Sequence, residues 1–364
     1  MRIGKTIYMD YQATTPVDKR VVGAMRPYWE ESFGNPHSAD HSCGWQAASA
    51  VESARQQVST LINADPQEVF FTSGATESNN HALQGVVRAN RTHKNRLLVG
   101  ATEHKCVLAS AYAMAEAYNL KVDLIPVTPE GLVNEDAYTA LLGNDVLLVS
   151  IMAANNEIGT IQDVERLAAL AHEYGAVFHC DAAQAPLAMD LDVLALDVDL
   201  LSFSAHKIYG PKGIGALYIR ADTQNDVEPL LYGGGQQEGV RSGTLPTPLC
   251  VGFGEAADLL TGAHKERTYV LTLKNQLKEG LLRMGAIVNG HAEGHPGNLS
   301  VQFPGADAHL LVSQLQPHLC ISTGSACSSG LISESYVLKA LGLDDRAASS
   351  SVRFGIGRFS DEDQ

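Results

Sequence analysis

Leu200-Leu201-Ser202-Phe203-Ser204-Ala205-His206-Lys207, followed by Ile208-Tyr209-Gly210-Pro211-Lys212-Gly213, decides how this chain is read. A short apolar run ends on a serine, and a histidine, a lysine and a glycine-rich turn come straight after it. The run reads as a strand, with its polar groups gathered just past its end. A lysine this close to an interior must find a partner or lose its proton. A deprotonated amine is what Schiff-base chemistry requires.

The same rhythm extends in both directions. Glu68-Val69-Phe70-Phe71-Thr72 reads as a strand, with a helix opening near Ala75. Arg96-Leu97-Leu98-Val99-Gly100 is a second strand, followed by a helical pattern over 107–117 and then by Lys121-Val122-Asp123-Leu124-Ile125. Asp145-Val146-Leu147-Leu148-Val149-Ser150 precedes a helix around 164–174, and Ala176-Val177-Phe178-His179-Cys180 and Gly215-Ala216-Leu217-Tyr218-Ile219 complete the set. Near-continuous apolar strands alternating with helices predict an α/β fold. Its central sheet is mostly parallel and covered by helices on both faces.

In such sheets functional groups collect beyond the carboxyl ends of the strands. Five ends carry polar residues: Thr72-Ser73-Gly74-Ala75-Thr76-Glu77, Thr102-Glu103-His104, Asn155-Asn156-Glu157, Asp181-Ala182-Ala183-Gln184 and Ser204-Ala205-His206-Lys207. Each has a plain structural reading. Ser73 to Glu77 fits a helix cap with an acidic first turn, His104 a satisfied histidine, and Asp181 a cap. Together they make a phosphate cradle, a lysine nucleophile and an aspartate for a pyridinium nitrogen, the donor set of pyridoxal 5'-phosphate (PLP). On that reading Gln184 bonds the phenolic oxygen and His104 stacks on the ring.

Bulk properties narrow the class. With 41 acidic and 26 basic residues the net charge is -15, the wrong sign for a protein that tracks phosphates, so no direct nucleic-acid binding is expected. No apolar run reaches the roughly 18 residues that span a bilayer, and Met1-Arg2-Ile3-Gly4-Lys5 lacks the pattern of a signal peptide. No membrane association and a cytoplasmic address are expected. Six cysteines stand at 43, 106, 180, 250, 320 and 327, none in a C-x-x-C pair. Five read as small buried hydrophobes. Cys327 lies among small polar residues, Ser322-Thr323-Gly324-Ser325-Ala326-Cys327-Ser328-Ser329-Gly330, and does not fit that reading.

The segment from Ser204 to Gly213 resembles the PLP-lysine segment of NifS/IscS-type cysteine desulfurases. Tyr11-Gln12-Ala13-Thr14-Thr15-Pro16, Phe33-Gly34-Asn35-Pro36-His37-Ser38, Arg241-Ser242-Gly243-Thr244 and Arg353-Phe354-Gly355-Ile356-Gly357-Arg358-Phe359 extend the likeness along the whole chain. It implies the fold-type-I architecture of PLP-dependent transferases, a homodimer, a large cofactor domain over 15–261, and a small α+β domain from 1–14 and 262–364. It further implies that Ala75, Thr76, Ser204 and His206 hold the phosphate, with Thr244 reaching the neighbouring subunit's phosphate. Asn155 and Arg353 bind the substrate carboxylate, and Asn155 also borders the cofactor. Lys207, Cys327 and His104 are the implied catalytic residues. Sulfur passes from L-cysteine to Cys327 as a persulfide, L-alanine leaves, and an acceptor protein takes the sulfur for Fe-S assembly, tRNA thiolation or DNA phosphorothioation.

Two departures stand out. Gln237 and Glu238 occupy positions where the family usually has Glu and Arg, and the sequence stops at Gln364 where the family normally continues. The second leads to the expectation that a closing helix and a usual partner-docking region are missing. Competing readings are a selenocysteine lyase or aminotransferase, and a sulfur-relay scaffold without turnover.

Overall fold

In the computed structural model, residues 1–90, 94–323 and 334–364 are described. Two short strands come first, β1 (Arg2–Ile3) and β2 (Thr6–Tyr8), and the apolar runs then become strands in the expected places: β3 (Val69–Thr72), β4 (Arg96–Gly100), β5 (Lys121–Ile125), β6 (Val146–Ser150), β7 (Val177–Asp181), β8 (Leu200–Ser204) and β9 (Gly215–Ile219). They are followed by β10 (Ile287–Asn289), β11 (Asn298–Gln302), β12 (Leu319–Cys320) and β13 (Ser351–Gly355). A seven-stranded sheet has the order β3-β9-β8-β7-β6-β4-β5.

From β8 to β5 every neighbour is parallel, whereas β9 runs antiparallel to both β8 and β3. The exception has a local cause. Residues 205–214, which join β8 to β9, hold only a short 3-10 turn at Ala205–Lys207, and a parallel return needs a longer crossover. The sheet is therefore mostly parallel, as the strand pattern predicts.

Alternation along the strands divides the core in two. Leu98, Val149, Phe178, Leu201 and Phe203 enter one apolar cluster, with Val51, Val58 and Phe253 from the Ser42–Leu61 and Thr247–Asp258 helices. Leu97, Val99, Leu148, Leu200 and Leu217 enter the other, with Leu83, Val86 and Val107 from the Ala75–Ala89 and Lys105–Tyr118 helices. Period-two alternation places successive residues on opposite faces, and both faces are filled. Each fully buried leucine or phenylalanine contributes about 1.5–3 kcal/mol.

A separate antiparallel sheet, β10-β11-β13, packs with the His264–Arg283 helix around Leu299, Val301, Val352 and Phe354. Met9 and Ile321 join this core, and β12 pairs with β2, so both ends of the chain meet here.

The Gln237 departure has a structural explanation. β3 closes one edge of the large sheet. At Phe71 the buried Gln237 side chain takes the place of a further strand: its Oε1 accepts the Phe71 N–H at 2.7 Å and its Nε2 donates to the Phe71 carbonyl at 2.8 Å. Arg55 Nη1 donates to the same Oε1 at 3.3 Å. An amide satisfies both backbone groups, whereas a carboxylate only accepts. Glu238 is exposed, and neither residue lines the cavity described below.

Candidate active site

A cavity of about 700 Å³ lies past the carboxyl ends of β6, β7 and β8, and residues from all five strand-end segments line it. At its first wall the Ala75–Ala89 helix begins. Its cap is Gly74, at φ 146° and ψ 174°, and no side chain caps the first turn. Only glycine takes that φ without strain. A Cβ on Gly215 would come within 2.6 Å of the Gly74 Cα, so β9 can abut this turn only because Gly215 has none. The plain capping reading of Ser73 does not hold. The Ser73 N–H donates to Glu77 Oε2 at 2.9 Å, and Glu77 in turn pairs with Arg241 at 2.7 Å. The first N–H groups at Ala75 and Thr76 have no side-chain acceptor among the described residues, the arrangement that suits an anion.

Ser204 and His206 border the same space. Burial, reinforced by Lys207 and Lys212, holds the His206 imidazole down at about 4, so it is neutral near pH 7. Its Nδ1 lies 3.1 Å from Thr14 Oγ1.

Asp181, at the end of β7, is buried. Its Oδ1 accepts the Ala183 N–H at 2.9 Å, and its Oδ2 accepts from Asn79 Nδ2 at 2.7 Å. It thus serves as the local cap that the plain reading foresaw while also lining the cavity. Behind it, His179 is fully buried between Ser150 Oγ (2.8 Å) and Ser202 Oγ (3.0 Å). Burial holds His179 at about 3, hence neutral. Glu103 is also buried, and burial together with the nearby Asp181 charge raises its carboxyl well above the ordinary range. One of its oxygens accepts the Met152 N–H at 2.5 Å, and the other has no partner among the described residues.

Lys207 projects from the turn after β8. Its Nζ donates to the carbonyls of Gln12 and Ala13, and Gln184 Nε2 donates to the same Gln12 carbonyl at 3.0 Å. The amino-terminal segment thus closes over lysine and glutamine together. His104 caps the Lys105–Tyr118 helix, accepting the Cys106 N–H at Nδ1 (3.2 Å).

Arg353 comes from the middle of β13 and is 4% exposed. Nη1 donates to the Asn156 carbonyl at 2.7 Å, Nη2 pairs with Asp10 at 2.8 Å, and Nε has no partner among the described residues. Asn155 does not line the cavity, although Asn156 does. The Asn155 amide donates to the Thr102 carbonyl at 2.9 Å and accepts the N–H groups of Glu157 and Ile158. Thr244 is exposed and away from the cavity. Cys327 lies outside the described residues. On either side of residues 324–333, the Ser322 N–H donates to the Arg353 carbonyl, and Ser335 Oγ donates to Glu157 Oε2 at 2.5 Å.

Sequence reasoning passed over Asn79, Glu103 and Gln12 as site residues. Asn79 was accessible from spacing: it lies one helical turn after Thr76, hence on the same face. Glu103 carries no such signal, because its character comes from burial.

The class-V aminotransferase family profile matches residues 7–364. The mitosomal cysteine desulfurase of Encephalitozoon cuniculi (strain GB-M1) is 46% identical over 98% of this chain and 83% of its own length. A solved structure described as a NifS-like protein superposes with a TM-score of 0.92 at 35% identity, covering 98% of this chain and 95% of that one. A structure of SspA in complex with cysteine superposes with a TM-score of 0.86 at 34% identity, covering 98% and 100%. This chain belongs to the class-V aminotransferases, within their cysteine desulfurase group, and is a PLP-dependent enzyme of the PLP fold type I. The residues present fit the cofactor: a helix start with no side-chain cap for phosphate, a pinned carboxylate, a lysine, and atoms of the lining Asn79 and Arg353 that have no partner among the described residues.

Proposed function

We propose that this cavity removes sulfur from L-cysteine and that Cys327 carries the sulfur to an acceptor protein. The observation that carries the reading is the convergence of Lys207, Asp181 and the open start of the Ala75–Ala89 helix on one cavity. PLP, when bound, supplies a ring that accepts electron density from the substrate α-carbon.

Every other task falls to the chain. Ala75, Thr76, Ser204 and His206 hold the phosphate, and Asp181, fixed by Asn79 and the Ala183 N–H, holds the proton on the ring nitrogen. Gln184, which lines the cavity, would bond the phenolic oxygen. Lys207 anchors the cofactor and moves the α-proton. The free Nε edge of Arg353 takes the substrate carboxylate, and Asn155 supports that end by fixing the turn that carries Asn156. A guanidinium whose other nitrogens are already held is pre-organised for this.

The Cys327 thiolate attacks the substrate sulfur. An S–S bond forms as the C–S bond breaks, the carbon keeps the electron pair and is protonated, and L-alanine leaves. His104 carries a proton at this step. The bonds from Ser322 to Arg353, which lines the cavity, and from Ser335 to Glu157, next to the lining Asn156, support the role of Cys327, because Ser322 and Ser335 lie on either side of it in the sequence.

The same reading includes a homodimer in which Thr244, exposed here, reaches the partner's phosphate. It also includes a division into 15–261 and 1–14 with 262–364, supported by the separate apolar cores. The test is to incubate the purified protein with L-cysteine and measure alanine and sulfide, then reduce the holoenzyme with borohydride and map the cofactor. Equal alanine and reducible sulfur, with cofactor on the Lys207 peptide, are expected. No alanine, or cofactor on another lysine, contradicts the reading.

A further inference from the structure

Cys106 is the second residue of the Lys105–Tyr118 helix and stands in the wall of the cofactor cavity. Its plain reading is a small core side chain, because it is partly buried and packs against the cluster that holds Val107 and Leu97. Its polar surroundings go beyond that. Sγ lies 3.0 Å from His104 Nδ1 and accepts from Asn79 Nδ2 at 3.3 Å. The Cys106 N–H donates to that same Nδ1, so the nitrogen presents a lone pair and the thiol is the donor. Asn79 is 1% exposed and lines the same cavity, and its Oδ1 has no hydrogen-bond partner among the described residues. A buried acceptor left open on a cavity wall marks a place for a ligand group.

We propose that Cys106 is a thiol modification site inside the cofactor pocket, open to small soft carbon electrophiles when the pocket is empty and shielded from them by PLP. The inference rests on this cavity being the PLP pocket. With an alkyl halide, the S–C bond forms as the carbon–halogen bond breaks. Halide leaves, and the thiol proton passes to His104 Nδ1 and then to water, with no oxidant or reductant involved. The adduct occupies the space between His104 and Asn79. Asn79 also donates to Asp181 Oδ2, so displacing its amide removes a donor from the carboxylate that faces the ring. Alkylation at this one sulfur therefore closes the pocket to the cofactor.

The test uses the full chain with Cys327→Ser, so that the desulfurase thiol cannot contribute, and reads cofactor uptake rather than turnover. Holo and PLP-stripped samples are treated with iodoacetamide and peptide-mapped, and the stripped sample is then offered PLP. Labelling of Cys106 is expected to be at least about tenfold slower in the holo sample, since access governs the rate. PLP affinity of the labelled, stripped sample should fall at least about tenfold. Adding Cys106→Ala should make uptake insensitive to iodoacetamide. Equal labelling with and without PLP, or labelled Cys106 with undiminished uptake, overturns the proposal. So does persistent sensitivity after Cys106→Ala, which would assign the effect to another thiol such as the exposed Cys43. Failure of the untreated protein to take up PLP would instead overturn the pocket reading, and this inference with it.

Discussion

The seven-stranded sheet and the β10-β11-β13 sheet bring groups to the same cavity by different means. In the large sheet the strands are apolar for most of their length, and the polar side chains they bring to the cavity stand at or just past their ends, at Asp181, His206 and Lys207. In the small sheet Arg353 sits mid-strand, and its direction is set by Asp10 and the Asn156 carbonyl. A side chain at a strand end is placed by backbone that is already satisfied, so removing it costs chemistry more than stability. A side chain inside a strand, held by an ion pair, couples the two.

The largest effect tests the first half of that contrast. Lys207→Ala should lower alanine production by about 10³-fold or more, the scale of a lost proton-transfer group together with the cofactor anchor. The unfolding midpoint of the cofactor-free protein should hardly move, because the amine meets the Gln12 and Ala13 carbonyls at residues that line the cavity rather than in the apolar core. A large drop in that midpoint would break the contrast. Arg353 tests the second half. Arg353→Lys should raise KM for L-cysteine by about tenfold to a hundredfold, as expected when a planar fork is replaced by a point charge. Arg353→Ala should in addition cost about 1.5–3 kcal/mol in denaturant unfolding, the scale of a charge-assisted bond. An alanine variant altered in KM alone would show that the ion pair positions nothing.

Gln237 sharpens the comparison away from the chemistry. Gln237→Ala leaves both Phe71 backbone groups unmatched and should cost about 2 kcal/mol or more. Gln237→Glu keeps the acceptor and should cost less. Equal costs for the two would refute the edge-pairing role.

The smallest effect is a pH dependence. Burial holds His81 at about 4 and His179 and His295 at about 3, below the ordinary value near 6.5. The unfolded chain takes up protons that the folded one refuses. Stability is therefore intact above about 6.5 and falls as pH drops below it toward the folded values. From pH 7 to 6 each such histidine should remove about 0.7 kcal/mol, measurable as a shift of the urea midpoint. A midpoint that rises on acidification would contradict the buried, neutral assignments.

Much of this was legible in the sequence. Strand positions follow from apolar runs, and Lys207, Asp181, Gln184, His206 and the Ala75–Thr76 turn follow from their places at strand ends. The antiparallel β9 was not read, because its direction depends on the short connection from β8 rather than on its own residues. Glu103, His179 and the Gln237 plug were not read either. Their properties arise from what packs against them, which a linear pattern does not carry. Asn155 shows the converse: the resemblance marks it for substrate, whereas the hydrogen bonds seen here hold a turn.

On the proposed function the strand-end cluster frees the sulfur and Cys327 receives it. Intact-mass analysis of the wild-type protein after a brief exposure to L-cysteine, followed by peptide mapping, tests it most directly. One added sulfur, removable by reductant and located on the Cys327 peptide, is predicted, with none in Cys327→Ser. Sulfur mapping to Cys106 or Cys43, or undiminished alanine production by the serine variant, would contradict it.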